Sequence, residues 1–286
     1  MKTPSAVPMS VAQALQDAQA SGLSRLDAQL LLAHVLSCNR TWLTAHADRH
    51  LSAAHATTWA ELSHRAIGGE PLAYILGEKE FHGLTLHVTP DVLIPRADTE
   101  TLVDWALERL QELPATIAPH VIDLGCGSGA IALAVKHRFS SAQVSAVDAS
   151  TAALAVAQRN GARLGLAVQW QQSDWWSALE GQRFHLALSN PPYIADDDPH
   201  LSNLTHEPRQ ALTAGSTGLD DLHQLVDQAP LHLHSNGWLL LEHGFDQAAS
   251  VRERLLGRGF SRVSSRRDLA GHERCSGGCW VGTPHP

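Results

Sequence analysis

Apolar positions recur along this chain with two different periods. From residue 8 to 65 the spacing is helical: Val11, Ala14, Leu15 and Ala18 share one face, and Leu26, Leu30, Leu31 and Val35 share another. Ser24 stands before the second run and predicts an N-cap, with Asp27 in the place a capping box gives to Glu or Gln. Shorter helices are predicted from Arg40 to Ala45 and from Ser52 to Arg65, completing a small bundle. Gly68-Gly69-Glu70-Pro71 predicts a helix end and a connector. Gly77 to Pro95 reads as extended. Phe81, Leu84, Leu86 and Val88 precede a turn expected near Pro90-Asp91, and Val92-Leu93-Ile94 follow it, which predicts a β-hairpin.

Past Pro95 short apolar runs alternate with helical ones. Asp98 or Thr99 is expected to cap a helix with Leu102, Val103, Ala106, Leu107 and Leu110 on its buried stripe. Val121-Ile122-Asp123-Leu124, a glycine-rich turn, Ala130 to Val135 and Val144 to Asp148 make a β-α-β unit. A helix from Thr151 to about Asn160 and a strand near Leu166 to Trp170 come next, then strands at Phe184 to Ser189 and, after a helix from about Gly218 to Leu231, Trp238 to Glu242. Asp246 is expected to cap a helix ending at Leu256. Strands at Phe260 to Ser264 and Glu273 to Gly282 close the series, the last weakened by two glycines. The fold class predicted is α/β, a doubly wound seven-stranded sheet carried by residues 77–286, with a helical domain over residues 1–76.

Composition narrows the functional classes. At 286 residues, with 44% apolar and 17% charged residues, the chain reads as an ordinary globular protein. A net charge of -8 argues against a general electrostatic grip on nucleic acid. No basic segment followed by an apolar core opens the chain, and no apolar run approaches a membrane span, so a cytoplasmic protein is expected. The four cysteines form no framework, which suits a reducing compartment.

Chemistry concentrates in two stretches. Gly125-Cys126-Gly127-Ser128-Gly129 departs from G-x-G-x-x-G because Ala130 holds the third position, and no Gly-Lys-Ser/Thr follows to make a phosphate loop. Asp123-x-Gly-x-Gly-x-Gly resembles the first motif of S-adenosylmethionine-dependent methyltransferases. A tight turn in a flavodoxin-like or dehydrogenase core shares the pattern. Asp148 ends the following strand, where a carboxylate can accept hydrogen bonds from a ribose diol. The second stretch, Asn190-Pro191-Pro192-Tyr193, follows an apolar strand at its C-terminal end. Two prolines stiffen the backbone and donate no N–H, and Asn190 offers an acceptor and a donor. Such a turn can hold a planar –NH2 group by its hydrogens, with the Tyr193 ring stacked on it.

Further segments carry a resemblance: Gly69-Glu70-Pro71-Leu72-Ala73-Tyr74-Ile75-Leu76-Gly77, Phe81-His82-Gly83-Leu84, Val92 to Glu100, and Leu240-Leu241-Glu242-His243-Gly244. Together with Asn-Pro-Pro-Tyr they make the chain similar, to near residue 274, to the HemK-like N5-glutamine methyltransferases of peptide chain release factors. The resemblance implies that Asp123, Gly125, Cys126, Gly127 and Gly129 form the S-adenosyl-L-methionine loop, that Asp148 holds the ribose, and that Asp174 and Trp175 lie near the adenine. It implies that Asn190 and Pro191, with Pro192 and Tyr193, hold the substrate amide at the cofactor. Ile94, Pro95 and Arg96 would shape the substrate's approach, although Arg96 and Glu100 could instead be a surface pair. Release factors would be the protein partners, with an encounter at the ribosome possible, S-adenosyl-L-homocysteine the by-product, and no metal, membrane or sequence-specific nucleic acid involved. Rival readings are a ribosomal-protein glutamine methyltransferase, an adenine-N6 methyltransferase using the same tetrapeptide, and a catalytically silent binding protein. Three departures stand out: Ala97 where the family commonly has proline, Thr205-His206 before Glu207-Pro208, and the tail Arg274 to Cys279. The spacing of Cys275 and Cys279 leaves a metal site only weakly supported.

Overall fold

A computed structural model of the protein describes residues 9–282; Pro8, where the first helical run was expected to begin, and the outer ends of both expected domains (1–8 and 283–286) lie outside the described residues. The backbone packs as two compact units, Met1–Glu78 and Lys79–Pro286.

The first unit holds α1 (Val11–Ala20), α2 (Arg25–Val35), α3 (Arg40–Ala45), α4 (Ala53–Ile67) and α5 (Leu72–Leu76) around Leu31, Leu32, Leu43 and Trp59. Its full capping box is at Ser10 and Gln13, whose side chains each bond the other's backbone N–H. At Ser24 the hydroxyl caps Asp27 and donates to the Asp27 carboxylate, so that carboxylate does not close a box. The apolar run Leu72 to Leu76, expected as connector, makes one helical turn ended by the left-handed Gly77.

In the second unit, β1 (Glu78–Phe81) and β2 (Leu84–His87) form the hairpin, and its turn is His82-Gly83 rather than Pro90-Asp91. Both turn residues have positive φ, 49° and 81°, the two-residue geometry that matches strand twist. Val92 and Ile94 are buried in an irregular segment instead of a second strand.

The sheet contains β3 (His120–Leu124), β4 (Gln143–Asp148), β5 (Gln169–Gln172), β6 (Phe184–Ser189), β7 (Leu233–Glu242), β8 (Phe260–Arg267) and β9 (Glu273–Trp280), in the order β5-β4-β3-β6-β7-β9-β8. The first five are parallel, and β9 runs antiparallel between β7 and β8. Helices α6 (Glu100–Gln111), α7 (Ala130–Arg138), α8 (Thr151–Leu164), α9 (Asp220–His232) and α10 (Ala248–Gly257) cover the sheet. One apolar cluster joins α6 and α7 to the sheet, and another joins α9 and α10 to it. From β3 the chain steps outward through β4 to β5, then returns to β6 on β3's other side. That reversal opens a crevice at the carboxyl ends of β3, β4 and β6.

Several boundaries correct the sequence reading. The helix expected to stop near Asn160 continues to Leu164, because Gly165 supplies its left-handed end. Thr99, one of the two expected caps, takes the N-cap position of α6 but its side chain makes no cap hydrogen bond, because a 3-10 turn, Ala97–Thr99, feeds straight into the helix. Asp246 does not cap α10 either, and Gln247 takes the N-cap position. The glycines of β9 strengthen the strand's fit: a Cβ on Gly277 would lie 2.5 Å from the Leu239 carbonyl oxygen. Only glycine lets β9 lie this close to β7. Cys275 and Cys279 are free thiols buried in the core. Among the described residues no group of three or more His, Cys, Asp or Glu is placed to hold a metal ion, and no helix is long and apolar enough to cross a membrane.

Candidate active site

The crevice at the strand reversal is a cavity of about 270 Å³ within the second unit. Gly125, Cys126 and Gly127 form one wall, Asp148 and Ser150 the next, Asp174 and Trp175 a third. Asn190 and Pro192 close it from β6, and Pro95 and Thr99 from the segment before α6. The two chemical stretches singled out in the sequence therefore meet at one cavity.

The glycine loop is held by its own carboxylates. Asp148 accepts the Gly127 N–H on one oxygen and the Ser150 N–H on the other, each at 2.8 Å. Lone pairs on both oxygens remain for a further ligand. Gly125 has φ +74°, and a Cβ there would stand 2.9 Å from the Trp175 ring, so the loop's tightness and the tryptophan's place are one requirement. Trp175 in turn donates its indole N–H to Asp221 at 3.2 Å.

Asp123 is not on the cavity wall. It is fully buried under the loop, where one oxygen accepts the Ala132 N–H at 3.0 Å and tethers the start of α7. Its other oxygen has no hydrogen-bond partner among the described residues. Burial pushes this carboxyl up to about 7, against the Ala132 bond and with the Asp148 charge adding to the rise. Burial also raises Asp148, and both carboxylates add to the rise that burial gives the Cys126 thiol. A negative field at this end of the cavity favours a positively charged ligand. A sulfonium bearing an amino-acid end and a ribose fits that field and the spare acceptors of Asp148.

On the substrate side, Asn190 donates its side-chain N–H to the Thr99 hydroxyl at 3.3 Å, leaving its carbonyl oxygen without a partner among the described residues. Tyr193, the last residue of the tetrapeptide, is partly buried, with its hydroxyl 3.5 Å from Glu242. Burial first, and then the Glu242 charge, raises the Tyr193 phenol, so it stays protonated. The Gln247 amide donates to the Tyr193 carbonyl at 3.0 Å and accepts the Gly244 N–H, clamping the end of the turn.

Ile94 is buried and donates its backbone N–H to Glu207 at 3.2 Å. Arg96 pairs with the same carboxylate, not with Glu100, which accepts the His82 N–H instead. Gly129 starts α7 and packs against Trp170. Neither Pro191 nor Tyr193 lines the cavity itself. Thr99, Glu207 and Asp221 were missed as site residues in the sequence. Thr99 was read as a cap and Glu207 as part of a divergent loop, and nothing local marks Asp221.

Strand order, glycine loop and strand-end carboxylate define an S-adenosylmethionine-dependent methyltransferase of the Rossmann-like class. Residues 106–264 match the "Methyltransferase small domain" family and residues 9–77 the "PrmC N-terminal domain". The chain is 49% identical over 260 residues to a release factor glutamine methyltransferase of Bordetella pertussis, covering 90% of this chain and 95% of that one. It is 46% identical to its counterpart in Burkholderia pseudomallei, covering 97% and 99%. A solved methyltransferase from Pyrococcus furiosus shares the fold, with a TM-score of 0.53 at 18% identity over 78% of this chain and all of that one. The chain belongs to the release factor glutamine methyltransferase family.

Proposed function

We infer that the chain methylates the side-chain amide nitrogen (N5) of the glutamine in the Gly-Gly-Gln motif of peptide chain release factors, yielding N5-methylglutamine and S-adenosylhomocysteine. One arrangement carries the reading: β6 delivers Asn190 onto the cavity that Gly125, Asp148 and Trp175 wall. Residues 1–76 act as the substrate-recognition domain, touching the factor beyond its glutamine loop, and residues 77–286 as the catalytic one. The encounter takes place in the cytoplasm, with the factor free or on the ribosome.

S-adenosylmethionine, when bound, supplies a methyl group on positively charged sulfur. Asp148 receives its ribose hydroxyls, the Gly125 to Gly129 loop its amino-acid end, and Asp174 with Trp175 its adenine. An amide nitrogen is a poor nucleophile because its lone pair is shared with the carbonyl, so alignment must do most of the catalysis. Asn190 Oδ1 and the Pro191 carbonyl each accept one N–H of the glutamine, and Tyr193 backs the turn. As the nitrogen gains positive character its hydrogens become more acidic, and both bonds strengthen in the transition state. One N–H bond is finally replaced by N–CH3, and the proton leaves to solvent. Ile94, Pro95 and Arg96, tied to Glu207, shape the approach of the loop.

The test is transfer of labelled methyl from S-adenosylmethionine to purified release factor, with the product located by peptide mass spectrometry. Label on the loop glutamine, absent when that glutamine is changed, is the expected result. Transfer to a ribosomal protein or nucleic acid instead would replace the reading.

A further inference from the structure

One buried amide outside the reacting groups bonds two walls of the cavity from behind. Asn160 lies in α8, is fully buried and does not line the cavity itself. Its Oδ1 accepts the His87 N–H at 2.7 Å, and its Nδ2 donates to the His87 carbonyl at 2.9 Å and to the Ser128 carbonyl at 3.0 Å. Asparagine is a weak helix former, and a buried amide costs stability unless it is bonded. A residue needed only for packing would be apolar, like its buried helix neighbours Val156 and Ala157.

The two partners belong to different parts of the site. His87 ends β2, and the chain beyond it turns tightly: Val92 donates its N–H to the Thr89 carbonyl, and the Thr89 hydroxyl donates to Asp91 at 2.9 Å. Asp91, Val92 and Leu93 then line the cavity, and the Ile94 N–H is held by Glu207. Residues 88–93 are thus a strap pinned at its exit by Glu207 and at its entry by Asn160. Ser128 belongs to the glycine loop. Its carbonyl bonds Asn160, while the N–H of the same peptide, from Gly129, donates to the Cys126 carbonyl at 2.8 Å. That peptide plane is therefore fixed at both ends.

We propose that Asn160 is a positioning residue that registers the strap against the glycine loop, so that one side chain sets both the cofactor's seat and the substrate's entrance. The substrate half of this rests on the functional reading above. Without the Asn160 NH2, the Ser128 carbonyl is left buried and unpaired, and the loop relieves that cost by turning the peptide. Without the whole amide, the strap also loses its entry pin.

The experiment compares wild type with Asn160→Leu, Asn160→Asp and Leu255→Ala, with thermal melts to follow folding. Leucine keeps the volume and removes all three bonds. Aspartate keeps the acceptor for the His87 N–H and loses the NH2. Leu255→Ala empties a buried site in α10, in the other apolar cluster, and controls for lost stability alone. Asn160→Leu should weaken S-adenosylhomocysteine binding by calorimetry about 10-fold and raise KM for the release factor about 3- to 10-fold, with kcat at saturation within about twofold because Asn190 is unaltered. Leu255→Ala should melt lower and change none of these. The His87 amide, followed without substrate by hydrogen exchange in the 15N spectrum, should exchange faster in Asn160→Leu and stay protected in Asn160→Asp, although both lose cofactor affinity. Wild-type cofactor affinity in either Asn160 variant, an unchanged KM in Asn160→Leu, a kcat loss as large as the affinity loss, unaltered His87 exchange in Asn160→Leu, or the same pattern in Leu255→Ala would each overturn the proposal. If Asn160→Leu does not fold, the cofactor affinity and His87 protection of Asn160→Asp decide it. Wild type that binds the cofactor but modifies no release factor would sink the functional reading instead, and calorimetry with the His87 amide would still decide whether Asn160 holds loop and strap.

Discussion

The two halves of the active site are built in opposite ways. The cofactor side is made mostly of neighbours: loop residues Gly125 and Gly127, the strand end Asp148, and the buried anchor Asp123 all lie within one β-α-β unit. Asp174, Trp175 and its partner Asp221 come from farther along the chain. Its bonds are chiefly between side-chain carboxylates and nearby backbone N–H groups. The substrate side is made of strangers. Asn190 leans on Thr99, 91 residues away, and the segment at Ile94 is tied to Glu207 across 113 residues. A side assembled locally is set by its own turn. One assembled across the fold depends on every element that delivers a partner. Damage to the first should appear in cofactor affinity, and damage to the second in turnover with cofactor affinity intact.

Asn190→Ala is the largest expected break of that contrast. Removing the acceptor aimed at the reacting amide should lower kcat by about 10²- to 10³-fold, comparable to losing one transition-state hydrogen-bonding group. Binding of S-adenosylhomocysteine, followed by calorimetry, should change far less. A parallel loss of both would merge the two sides.

Gly125→Ala tests the other side. A methyl 2.9 Å from the Trp175 ring, on a residue with φ +74°, must displace either the loop or the indole. Cofactor affinity should fall about 10- to 100-fold, equivalent to about 1.4–2.7 kcal/mol, within the range for overpacking and left-handed strain. Turnover at saturating cofactor should fall much less. Undiminished affinity would mean that the loop does not shape the cofactor's place.

How much of this was legible in the sequence follows the same division. The β-α-β unit, its glycines and Asp148 could be read because ligand chemistry and strand ends coincide within thirty-odd positions, from Pro119 onward. Asn190-Pro191-Pro192-Tyr193 was readable as a stiff turn with free acceptors. The distant supports were not, because Thr99 beside Asn190, Glu207 beneath Ile94 and Asp221 beside Trp175 become neighbours only after the sheet forms. The hairpin failed for a local reason: Pro90-Asp91 is a conspicuous turn pair, yet His82-Gly83 has the two positive φ values the strands need. The last strand was read at Glu273 to Gly282 and is there, but the glycines taken to weaken it are what it needs, since Gly277 is required by the close backbone of β7.

Glu207→Ala should have a smaller effect than the first two substitutions. It removes the common anchor of the Ile94 N–H and the Arg96 guanidinium. Arg96 is partly exposed and can turn to water, so the loss reduces to about one charge-assisted hydrogen bond, or roughly 10-fold in kcat/KM for the release factor. Cofactor affinity should be unchanged, which places the defect on the substrate side.

The smallest effect expected is on stability, and it sharpens the comparison because each side buries one carboxyl pushed up to about 7: Asp123 under the loop and Glu242 behind Asn190. For Asp123 the unfolded chain ionises near 3.8. Between that pH and about 7 the folded protein keeps a proton that the unfolded chain has released. Its contribution to stability is therefore complete below the lower value, is lost as pH rises through the upper one, and does not return above it. Asp123→Asn keeps an acceptor for the Ala132 N–H and removes the charge, but buries an N–H pair where the orphaned oxygen had been. The net gain at pH above neutrality should be on the order of 1 kcal/mol, and near pH 4 the variant should be no better than wild type. Thermal midpoints across this range decide it. The variant's curve should flatten relative to wild type, and Glu242→Gln should flatten it independently, because the two carboxyls serve separate sides. If either substitution abolished the whole slope, the carboxyls would be titrating as one system and the division of the site into two halves would fail.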